Sequence, residues 1–258
     1  MRYVPLYSLL SALTSCGAHP EPARTRPLTV LAAASLTDAF TDIERGFEAA
    51  HPDVDVTLSF AGSQALATQV RHGLAADVFA SADARHIDAL ASEGLVLAPR
   101  SFAENTLVLA VSETFGGAVD LEHLPDVGSL VVGADEVPVG RYTKTLLDTA
   151  QARYGDAWRA GVEARIVSRE PNVRLVLTKV AMGEADAAIV YATDVAAMSG
   201  ARAVPLPEGL SPRSAYLEAR LTAAPAPELA DAWLAYVASP QGRAALSARG
   251  FLVGRAHP

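Results

Sequence analysis

Cysteine is almost missing from this sequence of 258 residues: only Cys16 occurs, which excludes an intrachain disulfide and a metal site built from several cysteines. No uninterrupted apolar segment reaches the roughly 20 residues that a helix needs to cross a bilayer. Positive charge is also scarce, with 21 Lys and Arg against 29 Asp and Glu, so nucleic acid is not an expected partner. These limits leave a globular chain, 50% hydrophobic, that is long enough for one large domain or two lobes.

Catalytic motifs are missing as well. The sequence contains no Walker A segment, no G-x-G-x-x-G and no H-E-x-x-H among its six histidines, so neither a cofactor nor a resident metal is predicted. An exported hydrolase with Ser63 as its nucleophile remains an alternative, although Ala65 occupies the last glycine position of a G-x-S-x-G motif. The sequence therefore favours a binding protein over an enzyme.

The N-terminal segment has the composition of an export signal. Arg2 precedes a short apolar stretch that ends in Leu13-Thr14-Ser15-Cys16, which resembles the bacterial lipobox. We therefore predict a signal peptide at 1–15, a lipidated Cys16, and a proline-containing tether at 16–27. The alternative is an ordinary cleaved signal with an incidental cysteine. In both cases we expect an exported protein, in the periplasm or on the outer face of the cell membrane.

From Leu28 onward, the hydrophobic pattern alternates between strands and helices. Strands are predicted at 28–33, 54–60, 77–80, 106–112, 130–134, 164–167 and 186–191, and helices near 36–50, 66–73, 87–94, 140–153, 173–183 and 226–238. Repeated βα units predict an α/β fold with a mainly parallel sheet and helices on both of its faces.

Several helices are predicted to begin directly after a strand, in a position suited to anion binding. Ser35 has capping-box spacing and is predicted to be an N-cap, and Ser63 has a similar placement. Val139 and Val173 open two further helices. Helix starts offer free N–H groups and the positive end of the helix dipole. Each one alone is typical of plain capping, but strand-to-helix junctions lie where open α/β sheets bind ligands.

An opening motif and four later blocks occur in the order found in periplasmic molybdate-binding proteins, and residues 28–255 resemble that family. The segments are Ala32-Ala33-Ala34-Ser35-Leu36, Ala76-Asp77-Val78-Phe79-Ala80-Ser81-Ala82-Asp83, Val137-Pro138-Val139-Gly140-Arg141-Tyr142, Asn172-Val173-Arg174 and Ile189-Val190-Tyr191. The resemblance implies a type II periplasmic binding protein with two α/β lobes around a ligand cleft. Lobe one is then expected at 28–106 and 213–258, and lobe two at 107–212.

The resemblance also implies the residues of an oxyanion site. Ser35 and Ser63 would donate from lobe one through hydroxyl and backbone N–H groups. Val139 and Val173 would donate backbone N–H groups from lobe two, and Tyr191 its hydroxyl. The implied ligand is molybdate or tungstate, with sulfate as the alternative. The implied partners are the membrane permease subunits of an ABC importer, and the protein is expected to act as a monomer.

Three further features allow more than one interpretation. Arg174 either attracts the anion or pairs with an acidic neighbour, and we favour pairing. Asp38 and Asp194 are interpreted as surface or capping carboxylates, with an acceptor role in the cleft as the alternative. Trp158 and Trp233 would fit an aromatic sugar cleft, but their helical spacing favours packing. A regulatory domain on the same fold is a further alternative, but the export signal argues against it.

Overall fold

The computed structural model describes residues 25–117 and 119–254. The predicted signal peptide, Cys16 and the tether up to residue 24 lie outside the described residues. Within the described part of the chain, no helix is both long and apolar enough to cross a membrane.

The described residues form alternating strands and helices. The strands are Arg26–Ala33 (β1), Val54–Ala61 (β2), Val78–Ser81 (β3), Val96–Ser112 (β4), Leu130–Gly133 (β5), Ile166–Glu170 (β6), Ala187–Tyr191 (β7), Ala201–Pro205 (β8) and Arg213–Leu221 (β9). The helices are Thr37–Ala50 (α1), Ser63–Arg71 (α2), Ala84–Ser92 (α3), Pro138–Tyr154 (α4), Asp156–Arg165 (α5), Val173–Ala181 (α6), Ala192–Ala196 (α7), Pro227–Ala238 (α8) and Pro240–Ala248 (α9). Short 3₁₀ turns cover Ala34–Leu36 and Leu124–Asp126.

The strands build two sheets that share β4. In the first sheet β1 pairs in parallel with β2 and β3, and β9 joins β3 to β4 by antiparallel pairing. In the second sheet β5 pairs in parallel with β6 and β7, and β4 pairs antiparallel with β7 and β8. The predicted α/β fold is confirmed. Its parallel part is limited to three strands of each sheet, because β4 and β9 run antiparallel between them.

The strand β4 passes from one sheet to the other. Its residues Val96 to Thr106 pair with β9, and its residues Leu107 to Val111 pair with β7. We refer to the first sheet with its packed helices as lobe one, and to the second sheet with its helices as lobe two. Because a single continuous strand joins them, the two lobes meet along one edge and enclose a cleft beside it.

Each lobe has its own apolar core. Lobe two packs around Leu109, Val131 and Ile189, and lobe one around Phe40, Phe47 and Val78. Both tryptophans belong to these cores: Trp158 is 7% exposed and Trp233 is fully buried. The interpretation of these aromatic residues as packing residues is therefore confirmed.

Candidate functional site

A small cavity lies between the lobes, at the carboxyl ends of β1, β2, β3 and β7. All five residues predicted as ligands line it: Ser35, Ser63, Val139, Val173 and Tyr191. The other lining residues are Ala33, Ala34, Ala61, Gly62, Ala82, Val137, Pro138 and Asn172. The cavity is small: about 220 Å³ of space is free of protein atoms, including solvent at its mouth. The site therefore suits a ligand of only a few heavy atoms.

Ser35 reaches the cavity from a 3₁₀ turn. The prediction that it is an N-cap is wrong, because the turn Ala34–Leu36 precedes α1 and the Ser35 side chain caps no helix. Instead, the Tyr216 hydroxyl donates to Ser35 Oγ at 2.8 Å. Since that hydrogen bond occupies the acceptor side of the serine oxygen, the serine proton remains available for an acceptor in the cavity.

Ser63 lies at the start of α2, and its side-chain oxygen, like that of Ser35, accepts a hydrogen bond from the protein. It is the first residue of the helix, after the N-cap Gly62, so its backbone N–H has no acceptor within the helix. Its side chain accepts a hydrogen bond from Ala82 N at 3.1 Å. Ser63 can therefore offer both a hydroxyl and a backbone N–H group to one ligand.

Lobe two contributes two helix starts to the opposite wall. Val139 is the second residue of α4, after Pro138, and Val173 is the first residue of α6. In both positions the N–H group lacks an intrahelical acceptor. A Cβ atom on Gly140 would lie only 2.0 Å from Ala134 O, so glycine is what lets the first turn of α4 approach the preceding loop.

Tyr191 closes the cavity at the end of β7. Its ring is buried between Tyr142 and Tyr216, and its hydroxyl makes no hydrogen bond of acceptable geometry to the described residues. Burial is the largest influence on this group and raises the pKa of Tyr191 well above its usual value. The hydroxyl therefore keeps its proton and is available as a donor.

Arg174 does not line the cavity, although it follows Val173 directly. It pairs with Asp38 of lobe one, and its Nε lies 3.0 Å from Asp194 Oδ1 of its own lobe. The interpretation that Arg174 pairs with acidic neighbours is confirmed. Asp194 is not a surface carboxylate, because it is fully buried. It lies in the first turn of α7, whose N-cap is Tyr191, which agrees with the capping interpretation. Burial raises the pKa of Asp194 to about 7, Arg174 opposes that rise, and the nearby Asp38 adds to it.

Two residues near the site were not predicted from the sequence. Tyr216 orients Ser35, and Asn105 Nδ2 is 3.5 Å from the Tyr216 hydroxyl and donates to Thr193 Oγ1 at 2.8 Å. Both Asn105 and Tyr216 are buried, on β4 and β9. No local motif marks them, because their role depends on a strand pairing between distant parts of the sequence.

The catalytic alternative finds no support in the surroundings of Ser63. Among residues 25–117 and 119–254, no hydrogen bond joins Ser63 to a histidine, and His86 bonds to Glu136 O instead. In the same part of the chain, no cluster of His, Cys, Asp and Glu has the arrangement of a metal site.

Comparison with known proteins agrees with this geometry. The family described as bacterial extracellular solute-binding protein matches residues 28–252. The chain belongs to this family. It is 35% identical over 257 residues to the molybdate-binding protein ModA of Mycobacterium tuberculosis, with 94% of each chain covered. It is also 35% identical over 187 residues to ModA of Escherichia coli, covering 69% of this chain and 70% of that protein.

A solved structure confirms the fold of the family. The periplasmic molybdate-binding protein of Azotobacter vinelandii superposes with a TM-score of 0.77 and 19% sequence identity, covering 88% of this chain and 100% of that one. The resemblance inferred from the five sequence segments is thus confirmed, as is the two-lobed fold. The description of the family as extracellular agrees with the predicted export.

Proposed function

We propose that this protein captures molybdate, or tungstate, outside the cytoplasm and delivers it to the permease subunits of an ABC importer. The observation that carries this proposal is the convergence of Ser35, Ser63, Val139, Val173 and Tyr191 on one small cavity between the lobes. The names of the relatives in Mycobacterium tuberculosis and Escherichia coli point to the same ligand. In this proposal the protein acts as a monomer without a cofactor and is not an enzyme.

The chemistry of the cavity suits a fully deprotonated oxyanion. Among its described lining residues none is charged, and Ser35, Ser63, Val139, Val173 and Tyr191 can each donate a hydrogen bond to a ligand. A dianion presents only acceptors, and each hydrogen bond to it is worth roughly 1.5–3 kcal/mol net. Hydrogen phosphate would bring an O–H group that needs a strong acceptor, and no carboxylate is among the described lining residues. The site is therefore expected to discriminate against phosphate.

We further propose the lobe boundaries 28–106 with 213–258 for lobe one, and 107–212 for lobe two. Support comes from β4, whose pairing partner changes from β9 to β7 between Thr106 and Leu107. Ser35 and Ser63 then belong to lobe one, and the other three ligands to lobe two. A bound anion would bridge the lobes.

Thermal unfolding tests the proposed ligand. Molybdate and tungstate are each expected to raise the melting temperature, because a ligand that bridges both lobes binds only the folded protein. At about 100 times Kd the stabilisation is about 2.7 kcal/mol. In a protein of this size that corresponds to roughly 5–10 °C. The measurement is a melting curve of the purified protein with molybdate, tungstate, sulfate or phosphate.

Each outcome of that measurement has a clear meaning. Phosphate is expected to leave the melting temperature unchanged. A shift with sulfate alone would reassign the ligand within the oxyanion class. If molybdate, tungstate and sulfate all leave the melting curve of the anion-free protein unchanged, that result would contradict oxyanion binding.

We also propose that Cys16 carries the lipid anchor. The support is the lipobox-like Leu13-Thr14-Ser15-Cys16. A single acyl chain binds membranes only weakly, so more than one chain is expected. In a bacterial host, Cys16→Ser is expected to leave the protein unprocessed or to release it from the membrane fraction, whereas the control Ser15→Ala is expected to keep it there. Fractionation and intact mass unchanged by Cys16→Ser would argue against the anchor.

A further inference from the structure

Two ion pairs join the lobes on either side of the cavity. Arg174 of α6 pairs with Asp38 of α1, and Arg141 of α4 pairs with Asp83, the N-cap of α3. Both arginines belong to lobe two and both aspartates to lobe one. The four side chains are between 7% and 33% exposed. These cross-lobe pairs are therefore less screened by solvent than an ordinary surface ion pair.

Each cross-lobe pair is attached to backbone that lines the cavity. Arg174 follows the lining residue Val173, and its Nε also donates to Ala34 O of lobe one at 3.3 Å. On the other side, Asp83 follows the lining residue Ala82. Separation of the lobes would break both pairs at the walls of the site itself.

A further contact reinforces the second pair. Arg141 Nη1 donates to Glu136 O at 2.5 Å, and the same carbonyl lies 3.1 Å from His86 Nε2 of lobe one. A further cross-lobe hydrogen bond runs from Gln64 Nε2 to Pro171 O at 2.7 Å. The side chains that hold the cleft closed therefore lie outside the cavity, and no charged residue is among the described residues that line it.

Arg174 is not available to neutralise a bound anion. Its guanidinium already faces Asp38, Asp194 and Ala34 O. Two carboxyl groups against one guanidinium leave this cluster without surplus positive charge, so it does not attract a dianion. Of the two carboxyl groups, Asp194 belongs to the same lobe as Arg174, whereas Asp38 belongs to the other lobe. The contact between Arg174 and Asp38 therefore requires the lobes to be together.

We propose that Asp38 and Asp83 are positioning residues that act through Arg174 and Arg141 to hold the lobes closed over the bound oxyanion and to slow its release. This inference rests on the proposed function. An anion held by donors from both lobes leaves only after the lobes separate, and contacts specific to the closed state lower the population of the open state. Binding begins in the open state, where the pairs are absent, so the association rate does not depend on them.

The variant Asp38→Asn distinguishes this role from a direct electrostatic effect. Removal of a negative charge near a dianion would by Coulomb's law tighten binding, whereas loss of a cross-lobe pair accelerates release. We expect Asp38→Asn to release molybdate roughly 3- to 30-fold faster at an unchanged association rate, between the small effect of losing an exposed ion pair and the larger effect of breaking a buried one. Asp83→Asn is expected to act similarly, because asparagine also serves as an N-cap.

A pair within one lobe provides the matched control. Glu93 pairs with Arg71 at 2.8 Å, and both residues belong to lobe one. Glu93→Gln changes the net charge by the same amount as Asp38→Asn but leaves the contacts between the lobes intact. It is expected to release molybdate at the parent rate.

The release rate is measured on the full-length protein. Protein loaded with molybdate is mixed with excess tungstate, and retained molybdenum is determined by elemental mass spectrometry over time. Melting curves without anion are recorded for every variant. Release of molybdate from Asp38→Asn at or below the parent rate would overturn the proposal. If that variant also melts at a lower temperature without anion, the role of Asp38 is purely structural.

The same experiment separates this inference from the proposed function. If the parent protein retains neither molybdate nor tungstate, the proposed function fails, and the role of the aspartates in release fails with it. If the parent retains molybdate but either aspartate variant releases it at or below the parent rate, the proposed function stands and the role of that aspartate in release is refuted.

Discussion

Val173→Pro is expected to bind molybdate roughly 10- to 150-fold more weakly than the parent protein, because it deletes one donor to a charged ligand, worth about 1.5–3 kcal/mol. The fold is expected to tolerate the change. Val173 is the first residue of α6, where proline is favoured, and Asn172 has the extended conformation (φ −161°, ψ 163°) that a residue before proline requires. Val173→Ala keeps the N–H group and is expected to bind nearly as tightly as the parent.

The start of α3 supplies a matched control for the proline. Its N-cap Asp83 has nearly the same conformation as Asn172 (φ −157°, ψ 165°), and its side chain also accepts a hydrogen bond from the residue three positions later. Ala84→Pro therefore introduces the same change at a helix start that does not line the cavity. Calorimetry with molybdate is the measurement. If Val173→Pro folds normally and binds as tightly as Ala84→Pro, Val173 is not a ligand.

The sequence predicted best those parts of the fold that depend on local patterns. The units β1–α1–β2–α2–β3 follow from apolar runs and helical spacing, and they carry Ser35 and Ser63 to the same edge of the sheet. The strand β9 was not predicted. It contains Glu218, which is fully buried and lies 2.9 Å from Arg100 of β4. A charged residue inside a strand masks its pattern, and the partner that compensates it is far away in the sequence.

The conformation at Ser35 shows the limit of local rules at the site. Capping-box spacing predicted an N-cap, but Thr37 Oγ1 donates to Ala34 O at 2.7 Å and α1 begins only at Thr37. Ser35 is instead oriented by Tyr216, which lies on a strand at the other end of the chain. Local spacing thus indicated which residue reaches the cavity, whereas its hydrogen-bond partner depends on tertiary structure.

Tyr191→Phe is expected to weaken molybdate binding by roughly 10- to 150-fold, because it removes one hydroxyl donor to a charged ligand. The ring is retained, so its contacts with Tyr142 and Tyr216, at centroid distances of 6.5 and 5.9 Å, are preserved. The anion-free protein is expected to melt at nearly the same temperature. The buried Tyr191 hydroxyl makes no hydrogen bond of acceptable geometry to the described residues and only approaches Ser214, so its removal is expected to cost the folded state little.

Tyr191→Phe is thus expected to weaken molybdate binding without lowering the melting temperature of the anion-free protein. This combination distinguishes a residue that binds the anion from one that stabilises the fold. A hydroxyl that stabilised the fold would lower the melting temperature of the anion-free protein when removed, whereas a hydroxyl reserved for the anion affects only affinity. Tyr142→Phe is the control, since it removes a hydroxyl from the neighbouring ring, which does not line the cavity. Calorimetry and melting curves on both variants decide the question. If Tyr191→Phe retains parent affinity, or loses no more than Tyr142→Phe, then the Tyr191 hydroxyl does not contact the anion, and lobe two holds the anion through backbone N–H groups alone.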